Sequence, residues 1–363
     1  MPWRMSDVPT FGVEEEFFVV DSDGRLAARG ADILDGAEHE LGELQTELTR
    51  TQAETATEIC RTSGEALEQL RSMRAELAGA AGKRGYRLLP SGCPPLAEDD
   101  LPTITPSPRY ERMSAHFGAT ARTSLTCGCH VHVGVADREI GIGVLARIRP
   151  WLPVLLTITA NSAIADGYDT GYSSWRYQQW SRWPSAGPPP RFTSFAEYEG
   201  VVDAWMRAGA ILDRGMVYWD VRLSEKQPTI EFRMADVAAT PEEAVLLAVL
   251  VRGLVSVALA DETPPPHLSN EVLRAHLWRA SRTGLSGRCP DPLTGDLAPA
   301  SRLLEDLVTL TAPMLDRAGD LDFAREGLTR LVADGGGADR QRRCFAERGR
   351  AEDVVDLLVS KDS

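Results

Sequence analysis

The sequence predicts an α+β fold built on a mainly antiparallel sheet. Three observations lead there. Strand-like segments come mostly early in the chain, with helices inserted among them and appended after them, unlike the regular strand–helix alternation of a parallel sheet. Neither of the common glycine-rich phosphate loops is present. No internal repeat is found that would suggest a stacked array.

Residues 11–20 read as the first strand, apolar and β-branched at its ends and closed by the turn Asp21-Ser22-Asp23-Gly24. Residues 44–48 and 52–57 read as short strand-like stretches carrying Glu47 and Glu54. Residues 63–82 predict a helix: Ser63 as N-cap, Glu65 in the first turn, and Leu67, Leu70, Met73 and Leu77 at helical spacing. Residues 86–89 form a short strand, and the proline- and acid-rich residues 94–108 a loop. Residues 125–135 alternate as a strand, and residues 140–163 read as helical with interruptions at Pro150 and Pro153. Residues 167–192, packed with aromatics, arginines and prolines, read as a loop, followed by a helix over 195–209. Residues 217–223 and 229–233 pair as strands. Thr240 caps a long apolar helix over 240–259, with Pro241, Glu242 and Glu243 in its first turn. From Asn270 the chain is mostly helical, with glycine-rich breaks at 334–337.

The chain has 363 residues, 43% hydrophobic and 25% charged, which is enough for a large core. Its net charge of −14 argues against a nucleic-acid-binding surface, which needs clustered Lys and Arg. It leaves room for an anionic nucleotide held through a metal bridge. No uninterrupted run of about 18 apolar residues predicts a membrane span, and residues 1–6 carry no apolar signal core. Six cysteines in so long a chain do not suggest a disulfide framework, so a cytoplasmic location is expected.

The run Glu14-Glu15-Glu16 carries the most information. In a strand Glu14 and Glu16 share a face and Glu15 points to the other. Two carboxylates about 7 Å apart on one face repel unless a cation or a water-filled site lies between them. Mg2+ takes such oxygen ligands; an edge strand facing water is the alternative. With Glu47, Glu54 and Glu231, five acids lie in strand-like segments, and together they suit a multi-metal site; separate local ion pairs are the alternative.

In the run Cys127-Gly128-Cys129-His130-Val131-His132-Val133-Gly134, His130 and His132 share a face with two glycines, and the cysteines share the other. That arrangement, and a spacing unlike paired-Cys knuckles, speaks against zinc. Two histidines on a glycine-lined face suit an anion or transition-state contact. Arg176 and Arg182 lie among Tyr172, Trp175, Trp180 and Trp183, a setting that pre-organises arginine for a carboxylate or phosphate. Stacked surface arginines are the plain alternative. Glu231 and Arg233 share a strand face, which suits metal–phosphate chemistry or a structural ion pair.

These residues together resemble the glutamate–cysteine ligase type 2 family, the bacterial carboxylate–amine ligases. The resemblance runs from about Phe11 to Leu259 and rests on Gly12-Val13-Glu14-Glu15-Glu16-Phe17, the Cys127–Gly134 run, Ala160-Asn161-Ser162, Asp169-Thr170-Gly171-Tyr172 with Arg176, Trp180-Ser181-Arg182-Trp183-Pro184, and Thr229-Ile230-Glu231-Phe232-Arg233 with Asp236. It implies a glutamine-synthetase-like fold, a curved sheet forming a funnel with helices outside. The expected organisation is one ligase domain over 1–363, with a catalytic sheet core of about 10–260 and a mostly helical part over 261–363. Cys129, Glu58 and Ala163 stand where the family often has threonine, proline and proline.

The resemblance further implies an ATP- and Mg2+-dependent ligase that makes an amide through an acyl phosphate, by default γ-glutamylcysteine from glutamate and cysteine. Glu14, Glu16, Glu54, Glu231 and, less centrally, Glu47 would hold two or three Mg2+ ions. His130 and Arg233 would be catalytic. Arg176, with His132 and Arg182, would bind substrate, Arg176 as the clamp on an α-carboxylate. Arg222 and Arg233 would contact nucleotide phosphates. Residues 94–108 and 167–192 are the expected lids that keep water from the acyl phosphate. A homodimer is expected by family analogy. The same chemistry on another acid–amine pair in specialised metabolism, or a phosphotransferase on this fold, is the alternative; a binding protein without catalysis fits poorly, because every proposed carboxylate is in place.

Overall fold

The computed structural model describes residues 8–37, 42–264 and 267–359. The expectation for residues 1–6 lies outside them. Among the described residues, seven strands form the main sheet: β1 (Phe11–Val20), β2 (Glu43–Thr46), β3 (Gln52–Ala56), β4 (Arg87–Leu89), β5 (Gly128–Gly134), β6 (Val221–Leu223) and β7 (Thr229–Asp236). Their order is β2-β3-β1-β5-β7-β6, and β4 pairs with the far end of β1. Every pairing is antiparallel, as the sequence predicts.

Alternation along β1 explains the position of this sheet. Phe11, Val13, Glu15 and Phe17 face one way, as do Val131 and Val133 of β5 and Ile230 and Phe232 of β7; all are buried. Against this face lie the helices α1 (Ser63–Gly82) and α2 (Pro241–Ala260). Glu15 therefore points into the helix layer, where Arg74 of α1 meets it at 2.6 Å and also donates to Ala238 O at 2.9 Å. Gly12, Glu14 and Glu16 point to the opposite face.

Helix boundaries follow local chemistry. Thr62, one residue before the expected cap Ser63, is extended, and its hydroxyl accepts from Glu65 N at 3.2 Å. Thr240 caps α2 as predicted, accepting from Glu243 N at 3.3 Å, with Pro241 in the first turn. α2 is long and apolar enough to cross a membrane by length and composition, although Arg252 interrupts it; it is the buried core helix of this fold. Each of its buried Leu and Val side chains contributes roughly 1.5–3 kcal/mol. Arg252 pairs with Asp320, which also accepts from Ser63 N at 2.9 Å.

Residues 167–192 are not wholly a loop. They contain a one-and-a-half-turn helix, α3 (Trp175–Trp180), whose N-cap Ser174 accepts from Tyr177 N. The C-terminal helices Ala300–Ala318 and Leu321–Asp334 cover α2. The helix Gly337–Arg348 inserts Gln341 into the core: its amide oxygen accepts from Ala163 N at 2.9 Å and Ile164 N at 3.1 Å, and its nitrogen donates to Asn161.

Candidate active site

Strand register assembles the predicted carboxylates. Glu16 lies opposite Glu54, Glu14 opposite His130, His132 opposite Glu231, and Arg222 opposite Glu231. Five strands thus present one polar row on the face away from α1 and α2. A register irregularity between Cys129 and Val131 brings Arg233 alongside His130. Cys129 is buried on the other face, and Cys127, buried just before β5, takes the Gln52 side-chain amide at 3.6 Å.

Glu14 sits between the two histidines. Its Oε2 is 3.0 Å from His130 Nδ1 and its Oε1 is 3.2 Å from His132 Nε2. Burial works against its charge, yet the two imidazoles hold its pKa well below the usual value. Glu16 accepts the backbone N–H of Gly128 at 2.6 Å and lies 3.7 Å from His130 Nε2. Burial nevertheless pushes its carboxyl up. Glu54 is raised well above the usual range, first by burial and then by Glu47, Glu14 and Glu16 around it.

Among the described residues, two sets of three side chains bring their donor atoms within 4.8 Å of one another: Glu14, Glu54 and His130, and Glu14, His132 and Glu231. A buried carboxylate surrounded by other carboxylates, as Glu54 is, lacks a counter-cation among the described residues. Hard divalent cations supply that, and the oxygen-rich donor set fits Mg2+. Glu14 belongs to both sets, which suits two neighbouring ions.

Glu231 is heavily engaged. Arg222 grips it in bidentate fashion at 2.8 and 3.0 Å, and Arg233 contacts Oε1. Burial opposes its charge, but the two arginines overcome this and drive its pKa down. A carboxylate has about four lone-pair sites, so Glu231 keeps capacity for one further partner. Arg222 also donates to Gly215 O and Val217 O, so its guanidinium is committed within the protein.

His130 is 2% exposed, and burial followed by the Arg233 charge lowers its pKa. Its Nδ1 lies 3.0 Å from Glu14 Oε2 and 3.4 Å from Arg233 Nη1, and its Nε2 lies 3.7 Å from Glu16 Oε1. His132 is raised instead: burial opposes protonation, but Glu14 and Glu231 outweigh it. Its Nδ1 lies 2.9 Å from Thr229 Oγ1.

Arg176 is 1% exposed. Its guanidinium rests over Gly128, reaches Arg233 O and Met234 O only at 3.4 Å, and stacks 5.6 Å from the Trp180 ring; its Nε has no partner among the described residues. A buried arginine held so loosely retains donors for a ligand. Arg182 does not join this row. It donates to Gln179 O and to Thr123 and lines a cavity of about 230 Å³ with Trp175, Asp100 and Asp166, walled by both expected lid segments. Glu47 sits at the β2 end beside Glu54.

Sequence reasoning assigned no role to Ser162, Ser174, Asp220 or Asp236, and read Gly128 only as part of the glycine-lined histidine face. Ser162 and Asp236 fall within the motifs that carry the family resemblance, which is the signal that marks them.

The sequence model of the glutamate-cysteine ligase family 2 (GCS2) matches residues 10–358, and the chain belongs to this family of ATP-dependent carboxylate–amine ligases. It is similar to a provisionally named glutamate–cysteine ligase 2-1 of Rhodococcus jostii (strain RHA1), 52% identical over 96% of this chain and 95% of the relative. A likewise provisionally named counterpart from Saccharopolyspora erythraea is 46% identical over 96% of this chain and 94% of the relative. Among solved structures, the bifunctional glutathione synthetase of Pasteurella multocida superposes with a TM-score of 0.69 at 15% identity, over 99% of this chain and 52% of that one. The glutamate–cysteine ligase of Francisella tularensis in complex with AMP superposes at 0.67 and 12% identity, over 98% of this chain and 89% of that one. The shared fold is the glutamine-synthetase-like α+β arrangement expected from the sequence.

Proposed function

We propose that the chain joins glutamate to cysteine, using ATP, to give γ-glutamylcysteine, ADP and phosphate. The observation that carries this reading is the row of carboxylates, histidines and arginines that five strands turn to one face, with Glu54 buried among like charges. In the first step a glutamate carboxylate oxygen attacks the γ-phosphorus of ATP and ADP leaves. In the second the amine nitrogen attacks the acyl carbon, loses a proton, and phosphate departs.

Each side chain has a part. Glu14, Glu54 and His130 would hold one Mg2+ ion, and Glu14, His132 and Glu231 a second; Glu16 and Glu47 border them and provide for a third. When bound, these ions screen the negative charge of the phosphates. Arg233, beside His130, contacts the transferred phosphoryl group. Burial and the Arg233 charge hold the His130 pKa down, so the positive charge at that point falls to Arg233, and His130 contributes a ring-nitrogen lone pair. Arg176 clamps the α-carboxylate of the acid substrate. Arg182 lies by the 230 Å³ cavity, where it meets substrate at the rim. Arg222 acts on the nucleotide through Glu231, which it orients. The whole chain, 1–363, works as one catalytic unit, placed in the cytoplasm and paired as a homodimer.

Coupled ADP release with Mg-ATP, glutamate and a panel of amines including cysteine tests this. Release greatest with glutamate and cysteine supports it. Release with another acid–amine pair replaces the substrates but keeps the chemistry. Phosphorylated product without any amine replaces ligation with phosphoryl transfer.

A further inference from the structure

Asp236 ends β7 three residues after Arg233 and lies opposite Gly128 in the ladder with β5. It is fully buried. Its carboxylate takes three donors: Asn161 N at 2.9 Å and the Ser162 hydroxyl at 2.7 Å on Oδ2, and the Ser174 hydroxyl at 2.7 Å on Oδ1. Gly92 closes over it, since a β-carbon there would stand 2.8 Å from the Asp236 carboxyl carbon.

A serine hydroxyl has one proton to donate. Ser162 and Ser174 both spend theirs on Asp236, which leaves their oxygens as acceptors. Ser162 Oγ accepts from Arg176 N at 3.0 Å, and Ser174 Oγ accepts from Tyr177 N at 3.2 Å. These are first-turn amides of α3, which otherwise have no partner within the helix. A helix of six residues does not hold its own shape. Its start, and so the direction of Arg176, is set from outside.

We propose that Asp236 is a positioning residue for Arg176: by fixing Ser162 and Ser174 as donors it aims α3 so that the Arg176 guanidinium rests on Gly128, beside the carboxylate row. Its effect on substrate rests on the reading of Arg176 as the clamp for the acid. Asp236→Asn keeps the shape but replaces one acceptor oxygen with a donor facing a donating serine, so the caps reorient. Ser174→Ala removes one cap, and with it one donor to the carboxylate, while leaving Asp236 itself in place.

The test uses the full chain, with glutamate, cysteine and Mg-ATP in the ADP-release assay, and a crystal structure of Asp236→Asn. We expect Asp236→Asn to raise the KM for glutamate tenfold or more while the KM for ATP stays within twofold. In an Arg176→Lys background the same change should add less than twofold, because both act through one contact. Ser174→Ala should shift KM in the same direction and serves if Asp236→Asn does not fold. Equal fold-changes in both backgrounds, or a crystal structure with Arg176 still seated on Gly128, would overturn the proposal. If Arg176→Lys alone leaves the glutamate KM unchanged, or the wild type releases no ADP with glutamate, the clamp reading is what fails. The positioning claim is then decided by the crystal structure of Asp236→Asn alone.

Discussion

A β-carbon at position 128 would stand 2.2 Å from Nη2 of Arg176. The strand gives up a side chain so that a buried guanidinium can lie on its backbone, beside the N–H that Glu16 accepts. Gly128→Ala should therefore push Arg176 aside and leave the strand in place. We expect at least a tenfold rise in the KM for the acid substrate, about 1.4 kcal/mol of binding, with an unchanged circular dichroism spectrum. An unaltered KM would show that Arg176 does not work from this perch.

The three consecutive glutamates should fail in different ways. Glu15→Gln removes the charge facing Arg74 in the helix layer, a buried pair whose loss costs about 3–5 kcal/mol. Glu14→Gln and Glu16→Gln should cost far less stability and at least a hundredfold in kcat. Urea melts and turnover measured on all three variants check this. Equal kcat losses from the three would contradict the face assignment.

Glu54 is held among carboxylates at a cost to stability. Glu54→Gln should raise the melting temperature in EDTA by several degrees, roughly 1–2 kcal/mol, and abolish turnover. It should also shrink the further rise that Mg-ATP gives the wild type. Thermal scans with EDTA and with Mg-ATP decide it, and a lower melting point in EDTA would count against the crowded-charge account.

Asp220 supplies a pH dependence away from the carboxylate row. It accepts from Tyr177 Oη at 2.9 Å, and burial raises its pKa to about 7. Between about pH 4 and pH 7 the folded chain holds a proton on Asp220 that the unfolded chain has lost, so this group's contribution to stability declines as pH rises through that window and levels off above it. Each unit corresponds to about 1.4 kcal/mol, which bounds the contribution between pH 5 and pH 7 at roughly 3 kcal/mol. Asp220→Asn should flatten the curve. Urea unfolding at pH 5, 6, 7 and 8 compares the two proteins; parallel curves would remove Asp220 as the cause.

The alternation of β1 was readable because a strand has period two: Glu14 and Glu16 on one face and Glu15 on the other followed from spacing alone. The pairing of Glu16 with Glu54, or His132 with Glu231, was not, because register joins segments far apart in the chain. The sequence showed Glu231 and Arg233 on one face and offered Arg222 to nucleotide phosphates; in the structure Arg222 reaches Glu231 from the next strand and uses its donors there. α3 looked like a loop because its caps, Ser162 and Ser174, are organised by Asp236 in a distant strand. Arg176 and Arg182 lie in one aromatic run, yet Arg182 falls beyond the end of α3 and lines the 230 Å³ cavity instead of joining the row. The protonation of His130 depends on Glu14 and Arg233 together, and no single segment contains all three.

α2 carries a consequence for how the chain is made. On the ribosome this segment emerges before the helices that cover it, and its length and hydropathy are those of a membrane-spanning segment. Arg252, near its middle, has no buried carboxylate to meet until Asp320 has been synthesised. During that interval the face of α2 that the helices Ala300–Ala318 and Leu321–Asp334 cover lies bare, and a chain cut short before Asp320 would leave that face and Arg252 without their partners.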